Sequence, residues 1–142
     1  MSIELSKEQQ EVYNKTFNLV SEIEKELNTT VQPDNAPEVQ QQLAQLLPYL
    51  SNTPLMMATA TAVYEWAKGQ AALEAMENDR VYNAKAEIQR RWFSERLARY
   101  SAFYVRVETL EKALRQQIEA LRSLLSFNKE MANLEKFGGG RE

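Results

Sequence analysis

The stretch Arg90 to Phe127, RRWFSERLARYSAFYVRVETLEKALRQQIEALRSLLSF, decides the fold. Within it Phe93, Tyr100, Val107, Leu114 and Leu121 recur every seven residues, and Leu97, Tyr104, Leu110, Ile118 and Leu125 follow them by three or four. That spacing places one apolar stripe along a single helix. No Gly or Pro interrupts it, and Ala, Leu, Glu, Arg and Gln fill the remaining positions, so a rod of roughly 50 Å is expected at the helical rise. A rod with one apolar seam needs a partner, which makes these ten side chains the expected core or oligomer seam.

Working outward, the segment before this rod reads as a second long helix. Thr53-Pro54 is a helix-start signature, a hydroxyl cap followed by a proline at the first helical position. Leu55, Ala62, Trp66, Gly69, Leu73 and Met76 then keep an alternating four-and-three step. Ala58, Ala60, Ala67, Ala71, Ala72 and Ala75 widen the small apolar surface, which suits close approach to the bulky seam. Asn and Asp compete with helix for backbone hydrogen bonds, so Glu77-Asn78-Asp79 is the expected break, with Tyr82-Asn83 as the other position for the turn. A short connection there makes the two helices antiparallel.

Two shorter helices are expected ahead of them. Ser6 and Gln9 form a capping-box pattern, and Val12, Tyr13, Phe17, Val20, Ile23 and Leu27 step by threes and fours until Asn28-Thr29-Thr30. After a connector at residues 31–36, Pro37 opens a short amphipathic element through Val39, Leu43, Leu46, Leu47 and Leu50, which Pro48 should end or kink. The predicted class is all-α: a long antiparallel helical hairpin, helices 54–78 and 84–131, with helices 7–28 and 37–50 packed along it in a bundle of coiled-coil type. One domain over 1–137 is expected, followed by a flexible tail at 138–142, because Gly138, Gly139 and Gly140 read as a helix stop.

Composition bounds the chemistry. At 142 residues and 44% hydrophobic, the chain can bury one core and is short for two independent domains. It has no cysteine and no histidine, which removes thiolate nucleophiles, cysteine zinc sites and the usual neutral-pH acid/base. No enzyme activity, cofactor or transition metal is therefore expected. Met1 to Tyr13 lacks the apolar core of a signal peptide and no run approaches the length of a membrane span, so the expected location is cytoplasmic, with no membrane partner.

The net charge of −3 hides a partition. Residues 32–79 carry six acids against Lys68 alone, whereas residues 80–106 carry Arg80, Lys85, Arg90, Arg91, Arg96, Arg99 and Arg106 against Glu87 and Glu95. In that basic band Trp92, Arg96, Arg99, Phe103 and Arg106 share one flank of the helix. Together with Arg90 and Arg91 they are the candidate contact for nucleic acid or a protein partner. Alternating rings and guanidiniums suit a single strand, with bases stacking and phosphates pairing. The structural alternative has Trp92 and Phe103 widening the core face while the arginines pair with acids of residues 1–79. It is favoured because amphipathic helices border their apolar stripe with long snorkelling side chains, and because the acidic chain is a poor phosphate binder overall.

Two windows carry a resemblance. Val63-Tyr64-Glu65-Trp66-Ala67-Lys68-Gly69-Gln70-Ala71 and the run from Ile118 through Phe127 to Met131 resemble small helical-hairpin proteins of tailed phages and prophages. Genes for such proteins lie near those for single-strand annealing or single-stranded-DNA-binding proteins. The resemblance covers about residues 54–131, and residues 1–50 have no counterpart in it. It implies a bacterial-host cytoplasm, a helical hairpin, and a partner in a DNA replication or recombination machinery. It carries over no catalytic residue.

Other patterns carry less. Glu108, Glu111 and Glu119, with Glu22, Glu24 and Glu26, lack the histidines that usually complete a carboxylate metal centre in a bundle. Glu65 and Glu74 read as solvated helix face, Met56-Met57 as gap-filling core, and Gly138 to Gly140 has no strand before it to make a phosphate loop. The expected function is thus a non-enzymatic interaction or assembly protein, a homo-oligomer accessory to DNA replication or recombination. A direct single-stranded nucleic-acid binder using residues 90–106 is the alternative.

Overall fold

The capping box at Ser6 is formed in full: the Ser6 amide donates to Gln9 Oε1 at 3.1 Å and the Gln9 amide to Ser6 Oγ at 3.3 Å. The computed structural model, which describes residues 2–139 and side chains as far as Lys136, has α1 at Lys7–Leu27, α2 at Ala36–Glu77, α3 at Asp79–Tyr82 and α4 at Ala86–Gly139. The fold is all-α, with no strand among the described residues. No helix among them is long and apolar enough to cross a membrane.

α1 stops at the three poor helix formers Asn28, Thr29 and Thr30, where the buried Gln42 side chain satisfies part of the exposed backbone. Its Nε2 donates to the Thr29 carbonyl at 3.0 Å and to the Glu26 carbonyl at 3.5 Å, the latter also accepting from the Thr29 amide at 3.1 Å.

α2 corrects the expected break between 37–50 and 54–78, because one helix runs through both Pro48 and Pro54. A proline inside a helix costs about 3 kcal/mol. Burial outweighs it here: Val39, Gln42, Leu46, Thr53, Met56, Ala60, Val63, Ala67 and Ala71 are buried at helical spacing on both sides of the prolines. Each large apolar side chain among them contributes about 1.5–3 kcal/mol. Both proline rings lie on the exposed side, and the Ser51 hydroxyl donates to the Pro48 carbonyl at 2.6 Å.

The buried stripe also runs in a different phase from the expected one. Met56, Ala60, Val63, Ala67 and Ala71 are buried, whereas Leu55, Ala62, Gly69, Leu73 and Met76 are exposed and Trp66 is half-buried. An alanine-rich helix offers two apolar stripes, and the buried one is the stripe with more small side chains, which allows closer approach to its neighbours.

The connection after α2 uses both positions the sequence offered. Asn78 Oδ1 accepts from the amides of Arg80 at 3.1 Å and Val81 at 3.4 Å, capping the single turn of α3. Gln89 Nε2 then donates to the carbonyls of Val81 at 2.9 Å and Tyr82 at 3.1 Å, tying that turn to the start of α4. At the far end, the expected glycine stop at 138 is corrected. α4 continues to Gly139 and no described glycine has positive φ, so the left-handed cap is not adopted there. Residues 140–142 of the expected tail lie outside the described residues.

The chain forms two compact units. The first, Met1–Val20 with Thr53–Thr109, has Ile3, Tyr13, Met56, Val63, Tyr100, Phe103 and Val107 in its core. The second, Ser21–Asn52 with Leu110–Glu142, is built on Ile23, Val39, Leu46, Leu114, Ile118 and Leu121. Of the seam residues on α4, Leu97, Tyr100, Val107, Leu110, Leu114, Ile118 and Leu121 are buried, and Phe93, Tyr104 and Leu125 are half-buried.

Two substitutions probe this packing. Leu114, fully buried, should lose about 2–5 kcal/mol as Leu114→Ala, and Leu114→Asp should prevent folding at neutral pH by burying an unpaired charge. Pro48→Ala should instead raise stability, by up to about 3 kcal/mol, because the exposed ring contributes little packing and the helix already runs through it. Urea denaturation followed by circular dichroism checks both, and a destabilised Pro48→Ala variant would contradict the account of α2.

Candidate functional site

The basic flank of α4 belongs to the first unit, and its side chains divide by what they touch. Arg90 and Arg91 are exposed. Trp92 is half-buried, its ring edge-on to Phe93 at 5.0 Å between centroids, with the Arg96 guanidinium 5.7 Å from the indole. Arg96 is also ion-paired with Glu74 of α2. Phe103 is only 3% exposed, 4.8 Å from the Tyr13 ring and nearly parallel to Phe17 at 6.2 Å.

Arg99 and Arg106 lie over rings of α1. The Arg99 guanidinium is 4.9 Å from the centre of Tyr13, and that of Arg106 is 4.6 Å from the centre of Phe17. Each such contact contributes about 0.5–1 kcal/mol at an exposed site. Between the two arginines Ala102 leaves a groove of about 450 Å³, completed by Tyr13, Asn14, Phe17 and Phe103. The sequence marked Tyr13 and Phe17 only as core positions of α1. Their four-residue spacing puts them on one face of α1, and the sequence carries no signal that pairs that face with Arg99 and Phe103 of α4.

What the groove can do follows from which rings are free. Tyr13 and Phe103 are buried to within 4% and 3%, so they form its floor and offer no face for a stacked base. Phe17 is 40% exposed, but the Arg106 guanidinium covers its ring. A planar anionic ligand would have to displace that arginine to stack. The guanidiniums thus act first as lids on an aromatic cluster.

Tyr100 anchors the same cluster from below. Its ring meets Tyr13 edge-on at 6.1 Å, and its hydroxyl donates to the Ile3 carbonyl, while the Ile3 amide donates to the Arg96 carbonyl at 3.3 Å. The segment before α1 is held on α4 by these contacts. Burial pushes the Tyr100 hydroxyl above the usual tyrosine range, with the Arg99 charge acting in the opposite direction.

No protein-family model, curated protein or solved structure matches the chain. Its chemistry therefore rests on its own side chains. Among the described residues no three His, Cys, Asp or Glu side chains converge as a metal site. A groove of about 380 Å³ in the second unit, beside Ala36, Gln40, Leu125 and Lys129, brings one ammonium to an otherwise uncharged wall.

Tyr100 yields a prediction with a defined sign. A folded-state value above the unfolded 10.0 gives stability that is fully present below pH 10 and falls as pH rises through the folded value. Tyr100→Phe should cost about 1 kcal/mol at pH 7 through the lost hydrogen bond to Ile3. It should also weaken the decline that sets in above pH 10, as measured by denaturant titrations at each pH. An unchanged decline in the variant would show that another group governs it.

Proposed function

We propose that this chain is a non-enzymatic interaction and assembly protein that works as a homo-oligomer. The observation that carries the reading is the set of large apolar side chains left in water along α2: Leu55 at 72%, Met76 at 67% and Leu73 at 54% exposed. Single exposed leucines need no explanation, but a line of them on one helix marks a contact surface. The resemblance of residues 54–131 to phage and prophage helical-hairpin proteins supplies the setting: an accessory to DNA replication or recombination in a bacterial host cytoplasm. In this reading α2 and α4 form an antiparallel hairpin. Two contacts of the first unit support it, Tyr64 beside Tyr104 at 6.1 Å between ring centres and Glu74 paired with Arg96, since the partner number falls as the α2 number rises.

The second reading, direct binding of single-stranded nucleic acid by Arg90, Arg91, Trp92, Arg96, Arg99, Phe103 and Arg106, is favoured by one observation, the two guanidiniums at the rim of an apolar groove. Against it stand the buried Phe103 ring and the Arg96–Glu74 pair.

Light scattering and fluorescence anisotropy on the same preparation separate the readings. The assembly reading expects self-association at micromolar concentration and no binding of a labelled oligonucleotide at physiological salt. A monomer that binds the oligonucleotide with micromolar affinity falling steeply with salt would establish the second reading. Replacing Arg96, Arg99 and Arg106 together by glutamate should lower the melting temperature, because it sets a second carboxylate against Glu74 and uncovers Tyr13 and Phe17.

A further inference from the structure

We infer that the exposed stripe of α2 is a two-fold, antiparallel contact with a second copy of this chain, its axis passing close to Glu65 and Trp66. This inference rests on the assembly reading and assigns its surface. Leu55, Ala58, Ala62, Gly69, Leu73 and Met76 fall on one face of the helix, well round from the buried stripe, and all six are exposed.

A contact between two identical copies about a two-fold axis must be self-complementary: wherever residue i meets j, j meets i. The stripe has that property about its midpoint. In the antiparallel register centred there, Leu55 lies opposite Met76, Ala58 opposite Leu73 and Ala62 opposite Gly69. Large faces large at the ends, and small faces small beside the axis. One half is concave: Ala58, Thr59 and Ala62 line a groove of about 370 Å³ with Val12 of α1. The other half is convex, since Leu73 projects into solvent. The two-fold axis seats the Leu73 of each copy in the groove of the other.

Gly69 supplies an independent sign. A Cβ placed there would meet nothing within 4 Å, so the fold of one copy gives no steric reason for a residue that weakens the helix. Close approach of a second backbone at Ala62 gives one. Charge is also complementary. Lys68 Nζ lies 2.8 Å from Glu65 Oε1 at the edge of the stripe, so the axis brings two acids and two bases into one alternating group. The stripe is about 32 Å long, and a helix pair of that length buries on the order of 1,000 Å² in total, the lower limit for a specific contact.

The test exploits the absence of cysteine in the chain. Sedimentation equilibrium of the full chain should show a dimer dissociating in the micromolar range. Leu73→Glu and Gly69→Leu should each shift it to monomer by at least tenfold in dissociation constant, with circular dichroism unchanged because both positions are exposed. The double variant Ala62→Cys with Gly69→Cys should form a disulfide-linked dimer on mild oxidation. Ala62→Cys alone should not, since its own copy lies about 10 Å further along the axis in this register. An oligomer that persists in both exposed-site variants and does not crosslink overturns the α2 surface and leaves the assembly reading standing. A wild-type monomer throughout the micromolar range overturns both.

Discussion

A dry side chain every three or four residues is the constraint from which the helices take their lengths. α2 keeps Leu46 and Met56 buried on either side of two prolines, either of which would end the helix in isolation. α4 keeps Leu97, Val107, Leu114 and Leu121 buried without a glycine or proline until residue 138. In both cases tertiary burial supplies what local propensity lacks or merely permits. The cost of a proline is a few kcal/mol at one position, while the gain is spread over every turn that stays in register.

The arginine-rich flank shows how the same sequence pattern serves opposite ends. Alternating rings and guanidiniums are the composition of a single-strand groove, and equally of an aromatic cluster roofed by cations. Phe103 packs against Tyr13, and the Arg106 guanidinium lies over Phe17. The Arg99 and Arg106 guanidiniums lie over the rings of Tyr13 and Phe17, and Arg96 pairs with Glu74, so the basic band has partners within the first unit.

Much of the fold was legible because it was written in strong local signals. The seven-residue recurrence of α4, the Ser6–Gln9 cap and the asparagine at 78 each translate directly into hydrogen bonds or burial. The proline positions misled because helix-breaking is a local rule, and the side of the helix on which a ring falls depends on the tertiary packing. The phase of α2 was illegible for a related reason. Leu55, Leu73 and Met76 are the more hydrophobic side chains, yet Ala60, Ala67 and Ala71 are the buried ones, since helices separated by alanine approach more closely than helices separated by leucine. The aromatic groove could be assigned only in half: Arg99, Phe103 and Arg106 stood out on α4, whereas nothing local in α1 joins Tyr13 and Phe17 to them. Its ligand chemistry has no motif at all.

The prolines of α2 have a dynamic side as well. Each lacks an amide hydrogen, so two rungs are missing from the hydrogen-bond ladder within seven residues of an otherwise continuous helix. Opening a segment costs the bonds and contacts it breaks, and here fewer bonds have to break. Amide protons between Pro48 and Pro54 will therefore exchange with solvent through small local fluctuations, while those around Ala67 wait for larger ones. One helix is in this way uneven in lifetime along its length, and two residues on its wet side set where.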